Sequence, residues 1–374
     1  MKKRILSAMM ALFMAASLAS CGGSAVESTK AASEGTKEES RKEEKGSSAA
    51  EEKGESKEKK ADASGLKVGI VTDVGGVNDG SFNQSAWEGL QRAEKELGVQ
   101  AKYQESHTDA DYKPNIENFV DEDYDLIICI GYALADALKE ESAAHPDVKF
   151  AIVDDASLAD AKNVTSLMFE QASYLACYVA AKTTKKNTIG IVLGMATDLM
   201  HQFGYGYLAG AIDANPGIKV LQTNANSFAD TAAGKTAANN MVAQGADVIF
   251  QVAGGTGLGV IDGCKEAGIW AIGVDSDQSS IAPKTILTSA MKRVDNAVFD
   301  VTKELSEGKL EPGVKTYALA DEGVDLAPVT DNIDPTVLSE VEELKKKIIS
   351  GEITVPKTKA EFEAKYGSVY ELDD

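Results

Sequence analysis

From Leu66 onward the chain is punctuated by short runs rich in Val and Ile. Leu66-Lys-Val-Gly-Ile-Val-Thr72, Asp125-Leu-Ile-Ile-Cys-Ile-Gly131 and Phe150-Ala-Ile-Val-Asp154 come first; Asn187-Thr-Ile-Gly-Ile-Val-Leu193, Asp247-Val-Ile-Phe-Gln-Val-Ala253 and Ala271-Ile-Gly-Val-Asp275 follow. Nearly every central position is apolar, not every second one, which is the pattern of parallel strands covered on both faces. Between the runs the apolar positions take helical spacing over Ser85–Gly98, Ala133–His145, Lys235–Gly245 and Leu258–Gly268. Glycine closes several of these segments, as it often does at helix C-termini.

The two sets of runs are copies of one plan. Gly69 and Gly190 are 121 positions apart, as are Asp154 and Asp275, while the Asp125 and Asp247 runs are offset by 122. The repeat predicts an α/β protein of two doubly wound parallel-sheet lobes, each close to a five-stranded sheet of order 2-1-3-4-5. The first lobe is expected to hold 66–169 and 292–313, the second 170–291 and 314–374. The chain then crosses near Phe169–Ala172, Ala290–Lys292 and Gly313–Lys315. Open α/β sheets bind ligands outside the carboxyl ends of their strands, so two facing lobes make a cleft walled by strand ends.

Phe82 and Phe203 follow the first strand of each lobe and are again 121 apart, as are Gly89 and Gly210. Each Phe would stand at one lip of the cleft. Two rings gripping a flat face is how proteins hold a base, at about 1–3 kcal/mol per stacked base. The plainer alternative is a pair of staples that pack the starts of their helices. Asp73, Asp154 and Asp275 end strands and read as acceptors for ligand hydroxyl or N–H groups, whereas Asp155 and Asp277 read as helix caps. Gly254-Gly255-Thr-Gly257 after the Asp247 run is neither a dinucleotide fingerprint nor a P-loop. It offers backbone N–H groups at a helix N-terminus, or simply a tight turn. Lys292, in an acidic cleft, is placed to bridge Asp275 and to donate to a ligand hydroxyl. Acceptors between two aromatic walls suit a neutral, flat, hydroxylated molecule such as a nucleoside or a sugar.

The residues before Leu66 are of another kind. Lys2, Lys3 and Arg4 precede sixteen uncharged residues, Ile5–Ser20, too few for the ~20 of a spanning helix. That is a signal-peptide pattern over 1–20, and Leu18-Ala-Ser-Cys21 resembles a bacterial lipobox, with Cys21 as the lipidated N-terminus. Gly22–Gly65 holds nine Lys/Arg and eleven Asp/Glu with a single Val as its only large aliphatic residue, so 21–65 is expected to be a disordered tether. The remainder, 66–374, carries 26 basic and 48 acidic residues, a net −22. Such a surface argues against nucleic acid as a partner. Three His and four Cys without ligand spacing give no metal site, and Cys129, Cys177 and Cys264 read as small buried hydrophobes. No nucleophile elbow or triad spacing is present.

Asp79-Gly-Ser-Phe-Asn-Gln-Ser-Ala-Trp-Glu-Gly89, Ala253-Gly-Gly-Thr-Gly257, Gly273-Val-Asp-Ser-Asp-Gln278 and Lys292-Arg-Val-Asp-Asn-Ala-Val298 together resemble the basic membrane protein family. These are lipid-anchored substrate-binding proteins of ABC importers. The resemblance covers nearly all of Leu66–Asp374 and implies a type I periplasmic-binding-protein fold whose cleft closes on a purine nucleoside. By that resemblance Phe82 and Phe203 sandwich the base, and Asn83 and Asp154 contact its edge with Asp73 and Asn78 nearby. Asp275, Lys292 and the Gly254-Gly255 backbone hold the ribose. It further implies permease and ATPase partners, an extracytoplasmic lipid-anchored location, no cofactor and no enzymatic activity. A monomer is expected. A sugar-binding protein of the same fold is the nearer alternative and a nucleoside hydrolase the more distant one.

Overall fold

The structure, a computed structural model, describes residues 65–370 and 372. The expected signal peptide, the lipidation residue Cys21 and the tether up to residue 64 lie outside the described residues. Two sheets organise the rest. The first contains β1 (Lys67–Val71), β2 (Gln100–Gln104), β3 (Leu126–Ile130), β4 (Lys149–Val153) and β5 (Val164–Phe169). The second contains β6 (Thr188–Leu193), β7 (Lys219–Asn224), β8 (Val248–Val252), β9 (Trp270–Asp275) and β10 (Ile286–Lys292). Each sheet has six strands where about five were expected, because β11 (Gly313–Tyr317) joins the first and β12 (Val324–Leu326) the second. The orders are β11-β5-β4-β3-β1-β2 and β12-β10-β9-β8-β6-β7, so the 2-1-3-4-5 core recurs in both with one strand added beyond the fifth. All described pairings are parallel except β10 with β12.

Helices cover both faces, which is why the strands read as continuous apolar runs. On the first sheet α1 (Phe82–Leu97) packs one face together with α8 (Val294–Ser306), and α2 (Tyr112–Asp121) with α3 (Ala135–Ala144) packs the other. On the second sheet α4 (Ala172–Thr183) and α5 (Asp198–Ala214) share one face; α6 (Thr231–Ala243) and α7 (Gly254–Ala267) share the other. Helices α9 (Pro335–Ile349) and α10 (Lys359–Tyr366) pack outside α4 and α5. Cys129, Cys177 and Cys264 lie buried within these cores.

The chain passes between sheets after β5, after β10 and after β11. The third passage differs from expectation: residues 313–317 form β11 within the first sheet, so the chain leaves that lobe after Tyr317 instead of after residue 313. The passages lie side by side. Glu170 N–H donates to Tyr317 O at 3.0 Å, Leu319 N–H to Gln171 Oε1 at 3.1 Å, and Arg293 N–H to Gly323 O at 2.8 Å. Gln171 carries φ +73°, a left-handed turn rarely taken by a side-chain-bearing residue, at the first passage.

Candidate ligand-binding site

A cavity of about 440 Å³ opens between the two sheets at the carboxyl ends of their strands, within the usual size range of small-molecule sites. Eight residues singled out in the sequence line it: Asp73, Phe82, Asn83, Asp154, Phe203, Gly254, Asp275 and Lys292. Asn78 and Gly255 do not. Asn78 is exposed to solvent on the loop before α1. Gly255 is pressed against the Phe228 carbonyl, which would stand 3.2 Å from any Cβ placed there.

Phe82 opens α1 and Phe203 lies in the first half of α5, so equivalent helices present the rings from opposite lobes. Lys292, at the end of β10, is almost fully buried, and its Nζ sits 4.6 Å from the Phe82 ring centre and 5.7 Å from that of Phe203. Phe169 stands on a third side, 5.1 Å away. The expected bridge from Lys292 to Asp275 is corrected: the ammonium pairs with Asp154 across the cleft, and Asp275 instead accepts from the Ser81 hydroxyl of the opposite lobe. The reason is reach. Asp154 directly follows β4 of the first lobe, within reach of Lys292 at the end of β10, while the turn before α1 delivers Ser81 to Asp275.

Burial sets the electrostatics. Desolvation pushes the Asp275 carboxyl up to about 6 against the opposing pull of Lys292 and the Ser81 hydrogen bond. Asp73 is likewise pushed up to about 6 by desolvation, opposed by the Gly75 N–H and the Asn83 amide. Asp154 is raised for the same first reason, with Lys292 holding it down. Each carboxylate therefore gains from any ligand donor that reaches it. Asp154 Oδ1 and Asn83 Oδ1 are buried, with no hydrogen-bond partner among the described residues, and such acceptors are costly unless something donates to them. Asp277 caps the short helical turn 278–280, accepting from Ser279 N–H at 3.0 Å, whereas Asp155 caps no helix and accepts from Ser157 N–H at 2.9 Å within a turn.

Sequence reasoning missed a third aromatic wall. Phe228 lines the cavity from the loop between β7 and α6, and its ring faces Tyr132 of the first lobe at 6.5 Å. Glycines make its seat. A Cβ on Gly194 would lie 2.1 Å from Phe228 Cε1, and Gly254 and Gly255 both run close beneath its carbonyl. The Gly-Gly pair thus serves a close backbone approach, against Phe228. Asp79 was also missed; it lines the cavity and caps α1 by accepting the N–H groups of Ser81, Asn83 and Gln84. Loop residues without a partner in the repeat gave no signal for either.

Among the described residues no group of His, Cys, Asp and Glu is arranged to hold a metal ion, and no helix is long and apolar enough to cross a membrane. The cleft is a binding architecture: aromatic walls, buried acceptors, and two lobes joined by short passages of chain.

Comparison with known proteins agrees with that geometry. The family model described as ABC transporter substrate-binding protein PnrA-like matches residues 66–359. A CD4+ T-cell-stimulating antigen of Listeria monocytogenes is 42% identical over 313 residues, covering 77% of this chain and 87% of its own. The ABC transporter nucleoside-binding protein BmpA of Lactococcus lactis is 40% identical over 315 residues, covering 78% and 89%. Among solved structures, an ABC transporter solute-binding protein from Aeropyrum pernix superimposes with a TM-score of 0.72 at 30% identity, covering 80% of this chain and 96% of that one. The chain belongs to the Bmp family, the PnrA-like substrate-binding proteins of ABC transporters.

Proposed function

We propose that this protein captures purine nucleosides in the interlobe cleft and delivers them to the permease and ATPase of an ABC importer, acting as a monomer and not as an enzyme. The observation that carries the reading is the pair Phe82 and Phe203, which face one central group, the Lys292 ammonium, from opposite lobes with buried acceptors around them. A base is the flat group such a pair grips best. Asp275 and Lys292 then serve the ribose hydroxyls, and the walls from Phe228 and Tyr132 close the side of the slot. The name of the Lactococcus relative, nucleoside-binding, supports the same class. Calorimetry with inosine, guanosine, ribose and galactose tests it. Nucleosides should bind far more tightly than ribose, and no free base should accumulate on incubation. Tight binding of a free sugar with none of the nucleosides would replace this reading with the sugar-binding one.

The protein is further proposed to be held at the extracytoplasmic face of the membrane through a lipid on Cys21. The lipobox-like Leu18-Ala-Ser-Cys21 after an uncharged run supports this. Cys21→Ala should release the protein from the membrane fraction; full retention would contradict the anchor.

A further inference from the structure

Resting on the nucleoside reading, we infer that the cleft presents a pair of hydrogen-bond acceptors, Asn83 Oδ1 and Asp73 Oδ2, to the base edge and so prefers guanosine, then inosine, with adenosine weakest. The inference begins with a helix cap. Asp79 Oδ1 accepts the N–H groups of Ser81 at 2.9 Å and Gln84 at 3.1 Å, and Oδ2 accepts that of Asn83 at 2.9 Å. The first turn of α1 thereby fixes this carboxylate. The Asn83 side-chain amide donates to the same Oδ2 at 3.0 Å and to Asp73 Oδ1 at 2.7 Å. Both amide hydrogens are committed, and a flipped amide would set its oxygen against two carboxylates. Asp79 is therefore a positioning residue: it leaves Asn83 Oδ1 as the free end, buried and without a partner among the described residues.

Asp73 adds a second acceptor. Its Oδ1 takes the Gly75 N–H at 2.8 Å as well as the Asn83 amide. Its Oδ2 lies beside the edge of the stacking ring: a Cβ built on Gly131 would stand 3.6 Å from that oxygen and 3.5 Å from Phe82 Cε1. Two donors of the cavity are committed elsewhere: the Asn83 nitrogen to the two carboxylates and the Lys292 ammonium to Asp154.

Purine edges differ in what they offer such a surface. Guanine presents N1–H and a 2-amino group, two neighbouring donors. Hypoxanthine presents N1–H alone. Adenine presents a 6-amino donor next to a bare N1, which would face an acceptor with no proton between them. A site built to hydrogen-bond a donor rejects a ligand lacking it strongly, because its own buried groups are left unpaired.

The test is calorimetry of the full chain with the three nucleosides, repeated on Asp73→Asn. Wild type should bind guanosine at least about tenfold tighter than adenosine, with inosine between. In the variant the new amide can keep accepting from Gly75 and Asn83 through its oxygen and turn its NH2 group to the slot. That swaps an acceptor for a donor, so the guanosine-to-adenosine ratio should fall by about tenfold or more, with adenosine binding gaining outright. Equal affinities in wild type, or a uniform loss for all three in the variant, would overturn the inference and leave the nucleoside reading standing. Binding of no purine nucleoside by wild type would overturn both. A melting curve of Asp73→Asn at or above that of wild type is expected, since the substitution removes a desolvated charge.

Discussion

At the scale of residues, the 121-position offset carried unusual information because it paired positions by role. Asp154 and Asp275 share more than a strand end: both have left-handed backbones, φ +66° and +65°. A non-glycine residue held there costs about 1–3 kcal/mol and persists where the surroundings over-determine it. Both carboxylates also reach across the cleft, to Lys292 and Ser81. Charge follows. The folded state holds the Asp275 proton more tightly than an unfolded chain does, with the carboxyl raised to about 6 from 3.8. The stability this group contributes is fully present below about pH 4 and is lost as pH rises through 6. Asp275→Asn should therefore melt higher than wild type at pH 7.5, by on the order of 2 kcal/mol, and lose that advantage near pH 4. Denaturant titrations at the two pH values check it; a pH-independent difference would contradict the shift.

The two phenylalanines are not equivalent, which their matched spacing did not disclose. Phe82 is partly buried, whereas Phe203 is only 7% exposed and belongs to the core shared by α4 and α5. Alanine at either should weaken nucleoside binding by about 5- to 150-fold, the equivalent of 1–3 kcal/mol. Phe82→Ala should leave the melting temperature nearly unchanged. Phe203→Ala should also lose stability, toward the roughly 3–5 kcal/mol of a core Phe truncation. Normal binding by both variants would leave the rings as staples only. Asp79 and Phe228 were illegible for a different reason: their roles depend on where an amide and three glycines converge in space, and no local pattern encodes that.

At the scale of elements, strands buried on both faces were legible and edge strands were not. β3, β6 and β8 are buried throughout, while β2 (Gln-Ala-Lys-Tyr-Gln) and most of β7 face partly to solvent and lack the apolar signature. Helix α7 begins at Gly254, four residues before the expected Leu258, because its glycine-rich first turn hides the helical period. The repeat's glycines show a packing rule. Gly89 of α1 would place a Cβ 2.3 Å from Asp295 O on α8, and Gly210 of α5 would place one 2.1 Å from Tyr174 O on α4. In both lobes the helix after the first strand thus crosses a neighbour at backbone contact. Gly89→Ala and Gly210→Ala should each destabilise the fold by about 1–3 kcal/mol, because the obstacle is main chain and cannot rotate aside. Thermal unfolding of the two variants measures this. Unchanged melting would mean that the helix pairs can slide apart freely.

At the scale of the whole molecule, the repeat foretold two lobes but not the third passage between them, since β11, β12 and everything after lie beyond the repeated unit. That passage matters because it completes a short hinge of three neighbouring strands of chain, with Phe169 and Tyr317 stacked at 5.2 Å beside it. Away from the hinge, polar contacts join the lobes at the turn before α1: Ser81 donates to Asp275, and Gln278 Nε2 and Ser276 Oγ donate to Gly80 O at 2.8 and 3.4 Å. Each forms only with the lobes together, so their energies add directly to the closed state. A nucleoside touching both walls adds to it further, and rigid lobes on a narrow hinge respond by rotating as bodies. Small-angle scattering should therefore show a smaller radius of gyration with saturating guanosine than without it. Ser81→Ala, which deletes one closing hydrogen bond while leaving the cavity walls in place, should shift the ligand-free curve toward the more extended form and weaken nucleoside binding several-fold, as loss of about 1 kcal/mol of closure predicts. Superimposable curves with and without nucleoside, in wild type and variant alike, would mean that the lobes do not move and that the ligand enters by local motion of the loops around Phe228 and Tyr132.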